Sequence, residues 1–330
     1  MKKVYIIAEA EINHNGEVDI AKKMIEIAKA VGADCIKFQY IIADEIADAS
    51  SPYYKIFKKV ELSQKEISML KNFAIDSNID FMITVPGIKS FYLAKEIGIT
   101  RMKIGSSNIT NTLLLREIAG FKNELDIYLS TGMSTISDIE NALQTLNYKE
   151  CDSNFYLFHC TSNYPATYEN LNLNAITTLK NLYRNIKIGF SDHTTDSLAA
   201  IASAALGASF IEKHFTLDKN MNGPDHSFSQ DPDELGKYIL EIRNTEISLG
   251  SFAKKPSNSE LEMINKTRKF LVTAQDIIKG EKLTYKMFDT KRISNPEDAF
   301  EANSIYLLTK LISPKDYKAG DLIRLSDLNK

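Results

Sequence analysis

The stretch VYIIAEAEINHNGEVDIAKKMIEIAKAVGADCIKFQY, residues 4–40, decides the fold class. It opens on a β-favouring run, 4–9, and closes on another, 35–40. Both are largely apolar on successive positions, as strands buried on both faces must be. Between them, Ile20, Met24, Ile27 and Val31 form one stripe, with Lys22, Lys23, Glu26 and Lys29 elsewhere. That is the pattern of an amphipathic helix over 18–31, and Gly32 supplies its stop. The first turn, EAEINHNG, lacks the GxGxxG of a dinucleotide-binding open sheet.

The strand–helix unit repeats outward from this stretch. Runs 81–85, 101–105, 127–131, 155–160, 187–192 and 210–215 read as further strands. Residues 89–97, 112–119, 136–147, 172–183, 196–206 and 232–248 read as helices, and Ser63 with Glu66 forms a capping box opening another. Strands alternating with helices at this count predict a (β/α)8 TIM barrel over residues 1–250, with a doubly wound open sheet as the rival. Residues 251–267 are polar and read as a linker. Residues 268–330 hold short β-like runs and two lysine–glycine turns, in IIKGEKLT and YKAGDLIRLSDL. They predict a small β-rich domain whose core is meagre, so it is expected to lean on a partner surface.

The bulk composition narrows the classes. A net charge of −3 with interspersed signs lacks the basic patch that nucleic acid requires. No apolar run is long enough to span a bilayer, and the N-terminal stretch meets Glu9 too early for a signal peptide, so a cytoplasmic protein is expected. Cys35, Cys151 and Cys160 form no CxxC pair, and Cys35 and Cys160 read as buried, inert thiols.

The C-terminal ends of the expected strands, where barrel enzymes keep their chemistry, carry polar residues. They are Glu9, Lys37, Thr84, Lys103 with Ser106 and Asn108, Ser130, His159 with Ser162, Ser191 with His193, and Glu212 with His214. Any one has a bland reading, such as a helix cap or a structural ion pair. Eight ends loaded together would be costly to desolvate unless they served a ligand or each other. Two lysines among hydroxyl groups describe a site for a small, highly charged anion. His193 and His214 fit either a shared metal or a hydrogen-bonded core pair. With two imidazoles and no thiolate, the metal reading favours manganese or magnesium over a closed zinc site.

At these residues the chain resembles the sialic acid synthase family, whose members make N-acetylneuraminic, legionaminic and pseudaminic acids. The matching segments are AEAEINHNG (8–16), GADCIKFQ (32–39), KIGSSNITN (103–111), LSTGM (129–133), HCTSNYPATYENLNLNAI (159–176), GFSDHT (189–194) and IEKHFTLDKNMNGPDHSF (211–228). The likeness continues through PSNSE (256–260), TRKFLV (267–272) and IIKGEKLT (277–284). It implies a TIM barrel followed by an antifreeze-like (SAF, β-clip) domain, in a domain-swapped homodimer. It implies condensation of phosphoenolpyruvate with an N-acetylated aldose, either N-acetylmannosamine or a 6-deoxy diacetamido hexose. Carried over by motif, Lys37, Thr84, Lys103, Ser106, Ser130, Ser162 and Ser191 would hold phosphoenolpyruvate. His193 and His214 would hold Mn or Mg. Glu9, Tyr164, Asp225 and Arg292 would meet the sugar, and Glu9, Lys37, Lys103 and Asn108 would serve the chemistry.

Four positions depart from the family pattern. Asn108 stands where a carboxylate is usual, and it cannot exchange a proton. Glu11 replaces a usual glycine and is expected to face outward. ITVPG (83–87) and KRIS (291–294) differ from the family's STPF and KRP. A catalytically weak relative that binds phosphoenolpyruvate or sugar, and a different phosphate-using barrel aldolase, are the alternative readings.

Overall fold

The computed structural model describes residues 3–148, 155–294 and 296–328. Cys151 lies outside these residues. The chain divides into two compact units, Met1–Gly250 and Ser251–Lys330.

The first unit is a closed barrel of eight parallel strands in sequence order. The strands are β1 (Tyr5–Glu11), β2 (Cys35–Gln39), β3 (Asp80–Thr84), β4 (Arg101–Ile104), β5 (Asp126–Ser130), β6 (Phe155–Cys160), β7 (Lys187–Asp192) and β8 (Phe210–His214). The rival open sheet is thereby excluded, since β1 pairs with both β2 and β8. Side chains alternate across each strand. Outward positions such as Ile6, Ala8, Ile36 and Phe38 join the large core shared with the helices. Inward positions near the strand starts, including Ile7, Cys35, Met82, Tyr128, Tyr156, Phe158 and Phe210, form a separate apolar plug. Tyr128 and Tyr156 stack with centroids 4.1 Å apart, and Phe158 meets Phe210 edge-on at 4.7 Å. Gly189 makes room for the Phe210 ring, because a Cβ there would lie 2.3 Å from it. The plug closes the lower barrel, so the next inward layer, two residues further along each strand, floors a cavity.

The helices follow the expected positions with local differences. Val18–Ala30 buries Ala21, Met24, Ile25 and Ala28, while Ile20, Ile27 and Val31 are only partly covered. The buried face is therefore rotated from the stripe of large residues, because small alanines allow close approach to the sheet. Ser63 and Glu66 form the expected capping box. Two further helices, Ala43–Ile46 and Tyr54–Val60, lie in the connection after β2.

In the second unit, residues 251–267 are more than a linker. Asn258–Thr267 is helical, opened by a capping box between Ser257 and Glu260. The strands Phe270–Thr273 and Phe288–Lys291 pair antiparallel. A small core of Leu271, Ile277, Leu283, Met287, Phe300, Leu308, Tyr317 and Ile323 holds the unit together. Gly280 and Gly320 both take positive φ, 89° and 94°, at the two lysine–glycine turns. No helix among the described residues is long and apolar enough to cross a membrane.

Candidate active site

The layer above the plug is polar. It walls a cavity of about 320 Å³ lined by Glu9, Glu11, Lys37, Gln39, Thr84, Lys103, Ser106, Ser130, Ser162, Tyr164, Ser191, His193, Glu212 and His214, with Gly105, Ser107, Met133 and Cys160. Strand parity explains the set. Glu9 follows Ile7, Lys37 follows Cys35, Thr84 follows Met82, Ser130 follows Tyr128, and Glu212 follows Phe210, each two positions on.

Four charged groups of this layer are buried and paired. Glu212 lies 2.5 Å from the Lys103 ammonium through Oε1 and 3.5 Å from that of Lys37 through Oε2. Lys37 also pairs with Glu9 and donates to Thr84 Oγ1 at 2.9 Å. Ser191 donates to Glu212 at 2.9 Å. Burial pushes the Glu212 carboxyl up, but the fields of Lys103 and Lys37 outweigh it and hold the group well below the usual carboxylate range. Burial pulls the Lys37 ammonium well below its ordinary value; Glu212 opposes this and Lys103 reinforces it. Both lysines thus pair with buried acids inside one small cavity.

Hydroxyls flank the lysines. Ser130 Oγ is buried with no protein partner, an orphan that suits a ligand acceptor. Ser106 Oγ accepts from Gly132 N at 3.1 Å and touches Cys160 Sγ at 3.3 Å. A Cβ on Gly132 would fall 2.2 Å from Ser162 Oγ and 2.8 Å from Ser106 Oγ, so the missing side chain is itself part of the space.

The histidines stand at the ends of β7 and β8. The His193 and His214 ring centroids are 5.4 Å apart. An ion bound at about 2.1 Å to one nitrogen of each ring would separate the centroids by roughly 4.5–5.5 Å, so the spacing fits a shared cation. His193 Nδ1 bonds Thr161 O at 2.6 Å, which leaves Nε2 with a lone pair. Burial lowers the His193 pKa to about 4 and drives that of His214 well below its ordinary value, so both rings are neutral, as ligands must be. No group of three or more His, Cys, Asp or Glu among the described residues gathers as a ready metal site. The pair therefore fits only an ion whose shell is completed by other oxygens, which favours Mn or Mg. The Tyr164 ring lies 4.2 Å from His193 and 5.3 Å from Phe228, forming an aromatic edge to the mouth.

Comparison with known proteins decides the family. The NeuB family model matches residues 24–254. The chain belongs to the NeuB family. It is 40% identical over 339 residues to the N,N'-diacetyllegionaminic acid synthase of Campylobacter jejuni, covering 98% of this chain and 100% of that one. The synthase of the same name from Legionella pneumophila is 37% identical over 85% of this chain and 83% of its own. A crystal structure of N-acetylneuraminic acid synthetase from Leptospira borgpetersenii, in complex with citrate, is 36% identical with a TM-score of 0.74, covering 80% of this chain and 90% of that one. This NeuB chain is an enzyme of carbohydrate biosynthesis.

Not every expected residue of the NeuB chain lines the cavity. Asn108 lies in a short 3-10 turn and accepts a hydrogen bond from the Asn111 side chain at 3.0 Å; Ser107 faces the cavity instead. Asp225 sits beside Glu11, outside the lining. Arg292 is exposed in the second unit, just after Lys291. Glu11, expected to face outward, lines the cavity. The ladder between β1 and β2 shifts register between Glu9 and Glu11 and Glu11 takes φ 42°, yet its side chain keeps the inward side that its parity with Ile7 and Glu9 gives it. Glu212 was visible as a polar strand end, yet its bridging of both lysines is a tertiary fact. Three histidines are held by local bonds: His14 Nδ1 by Gly16 N at 3.0 Å, His159 Nε2 by Leu171 O at 2.7 Å, and His226 Nδ1 by Thr216 Oγ1 at 2.6 Å.

Proposed function

We propose that this enzyme condenses phosphoenolpyruvate with an open-chain, N-acetylated amino-sugar aldose and water, giving a nine-carbon 2-keto sugar acid and phosphate. The observation that carries the reading is the cavity itself: two buried lysines, the unpartnered hydroxyl of Ser130 and a neutral histidine pair line one barrel mouth. Full-length likeness to an N,N'-diacetyllegionaminic acid synthase favours a 6-deoxy diacetamido hexose over N-acetylmannosamine as acceptor.

Lys37 and Lys103 neutralise the phosphate and carboxylate, with donors from Thr84, Ser106, Ser130, Ser162 and Ser191 fixing the enol. Carbon 3 of phosphoenolpyruvate forms the new bond to the aldehyde carbon as the carbonyl π bond opens, and the aldehyde oxygen takes up a proton to become a hydroxyl. Water adds at carbon 2, and the carbon–oxygen bond to phosphate breaks. Asn108 cannot take the proton from that water; Glu9 or the departing phosphate does. His193 and His214 hold a divalent ion, Mn or Mg, whose chemistry is to polarise the aldehyde oxygen as a Lewis acid. Glu9, Tyr164 and Asp225 meet the sugar. Arg292 meets it from a partner chain in a domain-swapped homodimer, with the second unit acting as an antifreeze-like (SAF) domain in a cytoplasmic enzyme.

The test mixes the protein with phosphoenolpyruvate, Mn²⁺ and either sugar, and follows phosphate release and the product by NMR. Release with the diacetamido sugar, lost in Lys103→Ala, supports the reading. No release with any N-acylated aldose refutes it. Borohydride trapping of a substrate adduct would instead support an aldolase.

A further inference from the structure

We propose that Glu11 is a positioning residue for the histidine pair: a carboxyl oxygen of Glu11 accepts a hydrogen bond from Nδ1–H of His214 and so turns Nε2 toward the shared ion. The inference rests on the reading that His193 and His214 bind a divalent cation. It concerns a side chain that the sequence places where its relatives' motif has glycine.

The two rings have unequal support. His193 is oriented by a backbone carbonyl, Thr161 O, at 2.6 Å from Nδ1. His214 Nδ1 is buried with no hydrogen-bond partner, yet Glu11 Oε2 lies only 3.3 Å away. A small rotation of either side chain aligns the pair into a bond. An imidazole ligand normally donates its second N–H to a carboxylate or carbonyl, which fixes the tautomer and raises ligand basicity. Thr161 O does this for one ring, and Glu11 is assigned the same part for the other.

The backbone shows that Glu11 is held in place for this. Its φ of 42° lies in the left-handed region, which a glutamate adopts only when its surroundings enforce it. The amide N of Glu11 donates to Glu9 Oε1 at 2.7 Å, tying the bulge to the charged layer. The Glu11 carboxyl is also hydrogen-bonded to Asp225, and burial with that acid beside it pushes Glu11 well above the usual carboxylate range, so it meets His214 through an acceptor oxygen rather than as a free charge. Among the described residues no third His, Cys, Asp or Glu forms a metal cluster with the pair. That agrees with a carboxylate that approaches His214 from behind, at Nδ1, rather than one that binds the ion.

The experiment is a Mn²⁺ titration of the full chain followed by EPR, with and without phosphoenolpyruvate. Wild type is expected to bind Mn²⁺, and His193→Ala to lose it. Glu11→Gly is expected to raise the Mn²⁺ Kd by about 10–100-fold, the usual effect of losing such a partner. Glu11→Gln, which keeps an acceptor oxygen, should stay within a few-fold of wild type. Glycine suits φ 42°, so Glu11→Gly should melt no lower than wild type and the loss cannot be misfolding. An unchanged Kd in Glu11→Gly overturns the inference and leaves the metal reading intact. A Glu11→Gln as weak as Glu11→Gly means the carboxylate ligates the ion directly, which also overturns it. Absence of Mn²⁺ binding by wild type overturns both.

Discussion

Replacing Glu212 by glutamine tests whether the charged layer is built for an anionic guest. The side chain is 1% exposed, with Oε1 2.5 Å from Lys103 Nζ and Oε2 3.5 Å from Lys37 Nζ. At an effective dielectric of about 20, these separations correspond to roughly 7 and 5 kcal/mol of gross attraction. Desolvation of three charges cancels most of that, and removing one partner of a buried network costs about 3–5 kcal/mol. The amide keeps an oxygen for Ser191 and Lys103, so the expected loss is about 3 kcal/mol in the ligand-free protein. The substitution leaves the lysines with uncompensated charge, which phosphoenolpyruvate can take over. Phosphoenolpyruvate should therefore stabilise Glu212→Gln more than it stabilises wild type. Urea unfolding of both proteins, with and without saturating phosphoenolpyruvate, reads both quantities. Ligand-free stability unchanged within about 1 kcal/mol would show that Glu212 does not balance the lysines. A smaller phosphoenolpyruvate effect in the variant would show that the anion does not replace it.

Acid should unfold the protein partly through His14. Burial lowers its pKa from 6.5 to about 4, so the unfolded chain binds a proton first, and stability is lost as pH falls from 6.5 toward 4. That gap is worth about 3 kcal/mol, and His14→Asn should flatten the urea-midpoint profile over this range; parallel profiles would contradict it. Gly132→Ala puts a Cβ 2.2 Å from Ser162 Oγ and should raise KM for phosphoenolpyruvate more than tenfold with little change in melting temperature. A normal KM would place the anion elsewhere. Lys213, buried 3.2 Å from Asp192 Oδ2 and 2.5 Å from Thr194 O, anchors the strand ends that carry the histidines. Lys213→Met should lower stability by about 3–5 kcal/mol, measured by chemical denaturation.

The barrel was legible because its strands are buried on both faces and its helices are amphipathic, so the two periods separate cleanly. The observed strands begin and end within two residues of the expected runs. The lysines and hydroxyls were legible for a related reason. Lys37, Thr84 and Ser130 occupy inward positions two residues beyond Cys35, Met82 and Tyr128, and parity carries them to the same layer. Glu11 shares the parity of Ile7 and Glu9, so the same count places it inward, and the outward expectation went against that count. Asn108 was matched by motif alone, and motif does not report which face of a 3-10 turn a side chain takes. The helix Asn258–Thr267 could have been read: PSNSE contains the same serine-to-glutamate spacing that announced the helix after Ser63. Its polar composition masked it.

Before any substrate arrives, the inner layer carries two acids, Glu9 and Glu212, against two ammonium groups, Lys37 and Lys103. A lining whose lysines are already matched by acids has no electrostatic reason to admit a trianion alone. Entry of phosphoenolpyruvate would leave the small, water-poor space strongly negative unless a proton or a divalent cation entered with it. On the proposed reaction, binding would be an uptake of co-ions as much as of substrate, and affinity for phosphoenolpyruvate should track pH and divalent-ion concentration together.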